Sequence, residues 1–297
     1  MKLITYTYKG KEQVGVVTKD EKSVMPITKF ASMNELVRKA NADDLAELRR
    51  LAETCGRANA DGQSTLLPLE DVKIEAPIPV PMQDIICVGR NFTEHIKEGA
   101  RFRLTDFDAK DNPSVYFSKR VNRAVANGDP INGHTELDPQ LDYESELAVI
   151  IGKDAYNVKR ENVADYIFGY TIINDVSART LQNKHKQWYM GKSLDGFTPM
   201  GPWIVTADEF AFPPQMTIES RVNGELRQHT TTDNMIYDIS DIICELTEGM
   251  TLQAGTIIST GTPAGVGMGM VPPTFMKVGD VVECTVTGIG TLSNPIA

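Results

Sequence analysis

The chain has 297 residues, 41% of them hydrophobic and 24% charged, with a formal net charge of −10 at pH 7. That length suffices for one large core or two unequal domains, and the acidic balance, with no basic stripe interleaved with aromatics, excludes a nucleic-acid partner. No run of eighteen or more apolar residues occurs, and the N-terminal Met-Lys-Leu-Ile-Thr-Tyr lacks a signal-peptide pattern, so a cytoplasmic protein without membrane contact is expected.

Residues 3–8 and 13–18 read as strands flanking Lys9-Gly-Lys-Glu12, a hairpin. Helical spacing of apolar residues follows at 33–40 and 43–52. The run Ala76-Pro-Ile-Pro-Val-Pro-Met82 cannot be helix interior and has the stiffness of an extended linker. It divides the chain into a small N-terminal α+β domain (1–76), a proline-rich joint (77–82) and a larger domain (83–297). The first part carries no catalytic constellation and reads as a cap or packing module.

Beyond the joint comes Asn91-Phe-Thr-Glu-His-Ile-Lys-Glu98, where His95 and Glu98 stand three apart and share one face of a helical turn. A histidine oriented by a carboxylate is a serviceable general base near neutral pH. The charged stretch 99–112, with Arg101, Arg103, Asp106, Asp108 and Asp111, reads as a solvated loop from which one arginine reaches an anionic substrate. Short apolar strands then recur with Gly, Pro and Asn punctuation, at 115–117, 146–151, 170–173, 203–205, 216–222, 257–258 and 281–286. Asn223-Gly224 is a hairpin signal, and 236–251 reads as an amphipathic helix. A mixed, β-rich α+β fold follows, a sandwich or barrel.

Glu144 and Glu146 stand at the head of the strand-like run 141–151 and point to one face because strand side chains alternate. Such a pair is either a solvated face or two ligands. Asp175 closes a second apolar run, 168–175, so three oxygen donors at neighbouring strand ends would make a hard-cation site. Lys192 lies in a glycine-containing loop, Tyr189 to Pro199. Thr260-Gly-Thr-Pro-Ala-Gly-Val-Gly267 is glycine-rich but lacks the Lys-Ser/Thr ending of a nucleotide-binding loop. The four cysteines (Cys55, Cys87, Cys244, Cys284) show no Cys-x-x-Cys spacing and read as reduced thiols, and four histidines argue against a histidine-rich zinc centre.

The segments 86–98, Asp142-Tyr-Glu-Ser-Glu146, Ile173-Asn-Asp-Val-Ser-Ala-Arg179, Gly191-Lys192, Gly201-Pro-Trp203 and 259–267 occur together in an order and spacing that resembles the fumarylacetoacetate hydrolase family. The resemblance implies a β-sandwich roll with short outer helices, and a Mg²⁺ ion, with Mn²⁺ or Ca²⁺ as alternatives, held by Glu144, Glu146 and Asp175. It implies that His95 and Glu98 form a lid dyad that activates water, and that Lys192 stabilises an oxyanion or enolate. Gln182, Thr262 and Arg90 would line the substrate, a small anionic 2-oxo acid, and the protein would be a homodimer. The expected reaction is hydrolysis of a carbon–carbon bond in a 3-acylpyruvate, giving pyruvate and a carboxylic acid. The alternatives are decarboxylation of an oxaloacetate-like diacid, isomerisation of a 2-oxo diacid, and metal binding without turnover.

Overall fold

Among the residues that the computed structural model describes (1–53, 66–103 and 113–297, with the backbone alone at 99–103), 11 strands form one sheet. Its centre is the strand Ser145–Ile151, antiparallel to Ile167–Asn174 on one side and to Ile257–Ser259 on the other. From there the sheet runs outward through Met200–Thr206 to the N-terminal strands, and through Ile85–Gly89 to the edge strand Val115–Lys119. A four-stranded antiparallel sheet, ordered Glu225–Thr231, Thr217–Val222, Val281–Val286, Gly290–Pro295, covers one face.

All seven residues of Ser145–Ile151 are buried, which explains why this segment reads as a continuous apolar run rather than an alternating one. Leu147, Val149 and Ile151 share a cluster with Ile218, Val282 and Val286 of the smaller sheet, while Ala148 and Ile150 pack with Leu3, Val16 and Leu36 from the N-terminal part. The central strand is thus the filling of a sandwich. Both hairpins form at two-residue turns whose residues take positive φ, Lys9-Gly10 (49° and 75°) and Asn223-Gly224 (52° and 80°). That geometry matches the twist of the flanking strands.

The N-terminal strand Lys2–Tyr8 pairs with Met200–Thr206, Leu3 opposite Ile204, so the sheet crosses the boundary expected at residues 77–82. Ala76, Pro77, Ile78 and Pro79 are buried, and the proline-rich run is packed rather than exposed. The helices Met33–Lys39 and Ala42–Glu53 lie where helical spacing placed them. The expected helix over 236–251 is shorter, Ile239–Thr247. Asp238 and Asp241 form a capping box that fixes its start, while the amides of Ile236 and Tyr237 turn aside to bond Asn91. A helix at Thr93–Arg103 takes in the first residues of the stretch expected as loop; 104–112, with Asp106, Asp108 and Asp111, and the side chains of Arg101 and Arg103 lie outside the described residues. Cys87 and Cys284 are buried free thiols, Cys244 is half-buried, and Cys55 lies outside the described residues. No described helix is long and apolar enough to cross a membrane.

Candidate metal centre and active site

Glu144, Glu146 and Asp175 are buried, each with a ligand oxygen within 4.8 Å of the others. The two strands that carry them are locked at their ends. The Asp175 amide donates to the Glu144 carbonyl at 2.8 Å, and the Glu144 amide donates to Asn174 Oδ1 at 2.9 Å. Backbone pairing therefore decides where the carboxylates sit.

Three buried cations serve this centre. Lys192 Nζ donates to Glu144 Oε2 and to Asp175 Oδ2, both at 2.7 Å. Arg179 Nη1 lies 2.7 Å from Glu144 Oε1, and Arg179 Nε donates to Asp142 Oδ2 at 2.9 Å. Lys119 Nζ is 2.7 Å from Asp175 Oδ1, off the line of a hydrogen bond, and donates to the carbonyls of Val176 and Lys192. Among the described residues Glu146 has no such cation, and its Oε2 accepts only from Ser259 Oγ (2.6 Å) and the Gly261 amide (2.9 Å).

The proton affinities follow this arrangement. Burial alone would raise Glu144, but Lys192, Arg179 and His95 outweigh it and hold the carboxyl well below the usual range. Burial raises Glu146 well above that range, and the negative charges of Asp175 and Glu144 add to the effect. Burial disfavours the charged form of Lys192, yet Asp175 and Glu144 outweigh it and the amine is held cationic. For Lys119 burial wins and the affinity is lowered. Four acidic side chains (Asp142, Glu144, Glu146, Asp175) thus meet three basic ones (Lys119, Arg179, Lys192), and the unmatched carboxylate is Glu146. A buried carboxylate beside two others is stable only with a proton or a cation. An all-oxygen donor set with this imbalance fits a hard divalent cation.

The helix Thr93–Arg103 lies against the loop that follows Ser259. His95 Nδ1 is 3.5 Å from Glu98 Oε2, and both side chains are mostly buried. Both Glu98 oxygens accept from the Gly265 amide at 3.1 Å. A Cβ on Gly269 would come within 1.9 Å of Glu98 Cδ, so only glycine lets the carboxylate seat there. His95 is close enough to the centre to favour ionised Glu144.

The remaining expected residues are placed as follows. Gln182 is buried and its Oε1 accepts from Arg179 Nη1 at 2.9 Å. The Thr262 hydroxyl is engaged with the fold, donating to the Ser145 carbonyl at 3.1 Å and accepting from Gln228 Nε2 at 2.7 Å. Arg90 follows the strand Ile85–Gly89 with φ of 58°, its guanidinium 5.9 Å from the Trp188 ring centre. Sequence reasoning did not single out Lys119, Asp142, Arg179 or Ser259 for roles at this centre. A lysine ending the apolar strand Val115–Lys119 was a signal for the first; the others stood inside quoted segments without a partner to explain them.

A family model described as the fumarylacetoacetate (FAA) hydrolase C-terminal domain matches residues 84–297. The chain belongs to the fumarylacetoacetate hydrolase family. It is 45% identical over 252 residues, 85% of this chain and 82% of the relative, to the oxaloacetate tautomerase YisK of Bacillus subtilis (strain 168). Among solved structures it superposes on fumarylacetoacetate hydrolase from Exiguobacterium antarcticum with a TM-score of 0.83 at 40% identity, covering 100% of this chain and 99% of that one. Maleylpyruvate hydrolase from Sphingobium sp. SYK-6, in complex with manganese(II) and pyruvate, matches at a TM-score of 0.75 and 29% identity, over 100% and 99% of the two chains. Relatives of this kind are enzymes with hydrolase, isomerase and tautomerase activities, one of them holding manganese(II), and the α+β, sheet-rich architecture is the family's.

Proposed function

We propose that this protein interconverts the enol and keto forms of a 2-oxo dicarboxylate of the oxaloacetate class, using a divalent cation held by Glu144, Glu146 and Asp175. The observation that carries this reading is a proton-handling pair, His95 with Glu98, beside a lysine fixed in its cationic form at one buried carboxylate centre. Enolisation needs a group that moves a proton at carbon and positive charge at the oxygen, roles that the pair, Lys192 and the bound cation would fill. The 45%-identical relative named for oxaloacetate tautomerisation supports the choice of substrate.

Bound at the three carboxylates, the cation would supply positive charge that binds a 2-oxo acid and polarises its carbonyl. The chain's own residues do the rest. Lys192 offers a fixed positive charge to the substrate oxygen on which negative charge develops. In the enol-to-keto direction the enol oxygen gives its proton to solvent while C3 takes one from protonated His95, and the imidazole, steadied by Glu98, then regains a proton from solvent. No water is consumed and no carbon–carbon bond breaks. In the loop 260–267 the amides of Gly261, Gly265 and Gly267 are taken up by Glu146, Glu98 and Asp142, so Arg90 is the group suited to a distal carboxylate.

Hydrolysis of a 3-acylpyruvate is the second reading. The same His95–Glu98 pair favours it, since it could deprotonate water as readily as carbon, and a structural relative holds pyruvate and manganese(II). One experiment separates them. Loss of enol absorbance is followed for oxaloacetate and for an acylpyruvate with Mg²⁺ or Mn²⁺, alongside pyruvate release. Accelerated enol loss from oxaloacetate without pyruvate, abolished by a chelator, is the expected result. Pyruvate release from the acylpyruvate, with oxaloacetate enol decay unchanged by the protein, would put hydrolysis in its place.

A further inference from the structure

Asp142 is wholly buried and takes no part in the proton transfer above, yet it accepts four hydrogen bonds. Two come from the glycine loop: Gly267 N to Oδ1 at 2.7 Å and Met268 N to Oδ2 at 2.9 Å. One comes from the Tyr143 amide at 3.0 Å, and one from Arg179 Nε at 2.9 Å. Arg179 then spends its other arm on Glu144 Oε1, 2.7 Å away. Ser177 pairs with Asp142 across the short ladder joining Leu141–Asp142 to Ser177–Ala178, which holds Arg179 opposite its acceptor. The same loop carries Gly265, whose amide holds Glu98, and Gly269, against which Glu98 seats. A continuous chain of short contacts therefore runs from Glu98 through the loop 265–269 to Asp142, Arg179 and Glu144.

We propose that Asp142 is a positioning residue that couples the docking of the helix Thr93–Arg103 to the orientation of Glu144 in the carboxylate centre. A buried carboxylate with four donors has one orientation, so a shift of the loop is passed to the guanidinium rather than absorbed. The guanidinium is planar and forked, so its movement is passed to Glu144. By linkage the effect runs both ways: a cation on Glu144 favours the docked helix, and the docked helix favours the cation. The inference rests on the metal-centre part of the proposed function and not on which reaction is catalysed.

The test is a double-mutant cycle read on Mn²⁺ affinity by titration calorimetry, with Glu98→Ala, Asp142→Asn and the double variant in the full chain. Asp142→Asn should weaken Mn²⁺ by roughly 10–100-fold, the usual effect of losing a group that orients a ligand. Glu98→Ala, which removes no ligand, should weaken it by about fivefold or more in the wild-type background, and should have no further effect once Asp142 is replaced. Hydrogen exchange gives a second readout: Mn²⁺ should slow exchange of the amides of residues 93–98 in the wild type and leave it unchanged in Asp142→Asn. Where Asp142→Asn does not fold, Arg179→Lys, which keeps the charge and loses the fork, takes its place in the cycle. Effects that simply multiply in the double variant, or Mn²⁺ affinity indifferent to Glu98→Ala, would overturn the proposal. A chain that shows the coupling but does not tautomerise oxaloacetate keeps this inference and loses the proposed reaction.

Discussion

The carboxylate centre and the His95–Glu98 helix face each other across one site but are built differently. Glu144, Glu146 and Asp175 stand at the ends of strands buried on both faces, with backbone pairing on either side. The helix that carries His95 reaches the site through a clamp on one loop, two Glu98 oxygens on one glycine amide. The first half is set by the core of the fold and moves only with it. The second is held by few contacts, the condition under which a segment opens and closes at low cost. A cation site gains from rigidity, because ligands held in place need no ordering on binding, whereas a proton-transfer group must admit and release substrate.

If that contrast holds, damage to the first half should remove binding, whereas loss of the proton-transfer group of the second, with the Glu98 clamp left in place, should lower turnover and leave binding intact. The largest effect is expected from Glu146→Gln, which should bring both Mn²⁺ binding and turnover to background while circular dichroism shows a folded chain; chelation of the wild type should do the same, and added Mg²⁺ or Mn²⁺ should reverse it. Retained Mn²⁺ affinity in Glu146→Gln would remove that residue from the ligand set. His95→Ala comes next, with turnover lowered on the order of 10²–10⁴-fold, the range for a lost general base. Its Mn²⁺ titration should match wild type, and a large loss of affinity would mean that the two halves are not separable as described.

Stability should sharpen the comparison further. Lys119 and Asp175 are both fully buried, so Lys119→Met takes the cation from Asp175 Oδ1, leaving Lys192 on Oδ2, and should lower the metal-free unfolding free energy by about 3 kcal/mol in a urea titration. Mn²⁺ should return part of that loss by supplying the missing positive charge. The smallest effect belongs to Asp238→Ala at the start of Ile239–Thr247, where loss of the cap should cost about 1 kcal/mol and leave turnover unchanged. A drop in turnover there would show the outer helix to be part of the site.

The same contrast marks what could be read from the amino-acid order. Glu144 and Glu146 were legible because strand alternation puts residues two apart on one face, and the His95–Glu98 pair because helical spacing puts residues three apart together. Both are local rules. Lys119, Arg179 and Asp142 were not legible in that way, since their partners come from segments brought together only by the strand order of the sheet: Lys119 meets Asp175, and Asp142 meets Gly267 and Met268. The expected boundary at 77–82 relied on proline stiffness, which describes a segment but not what packs on it. Helical periodicity ran past Thr247 and began before Ile239 because apolar spacing takes no account of caps, and Asp238 with Asp241 set the start.

The pairing of Lys2–Tyr8 with Met200–Thr206 also bears on how the chain is made. Leu3 and Ile204 are about two hundred residues apart, a separation that a ribosome adding roughly 5–20 residues per second spans in roughly 10–40 s. Through that interval the outer edge of Lys2–Tyr8 can be paired at Tyr6 and Thr7, by Lys73–Ile74, but stays open at its Leu3 end. Contacts of such long range also slow folding in general. A nascent chain of this protein therefore carries an unpaired stretch of sheet edge at Leu3 until the strand Met200–Thr206 has been made, and until then that stretch is open to pairing with another strand.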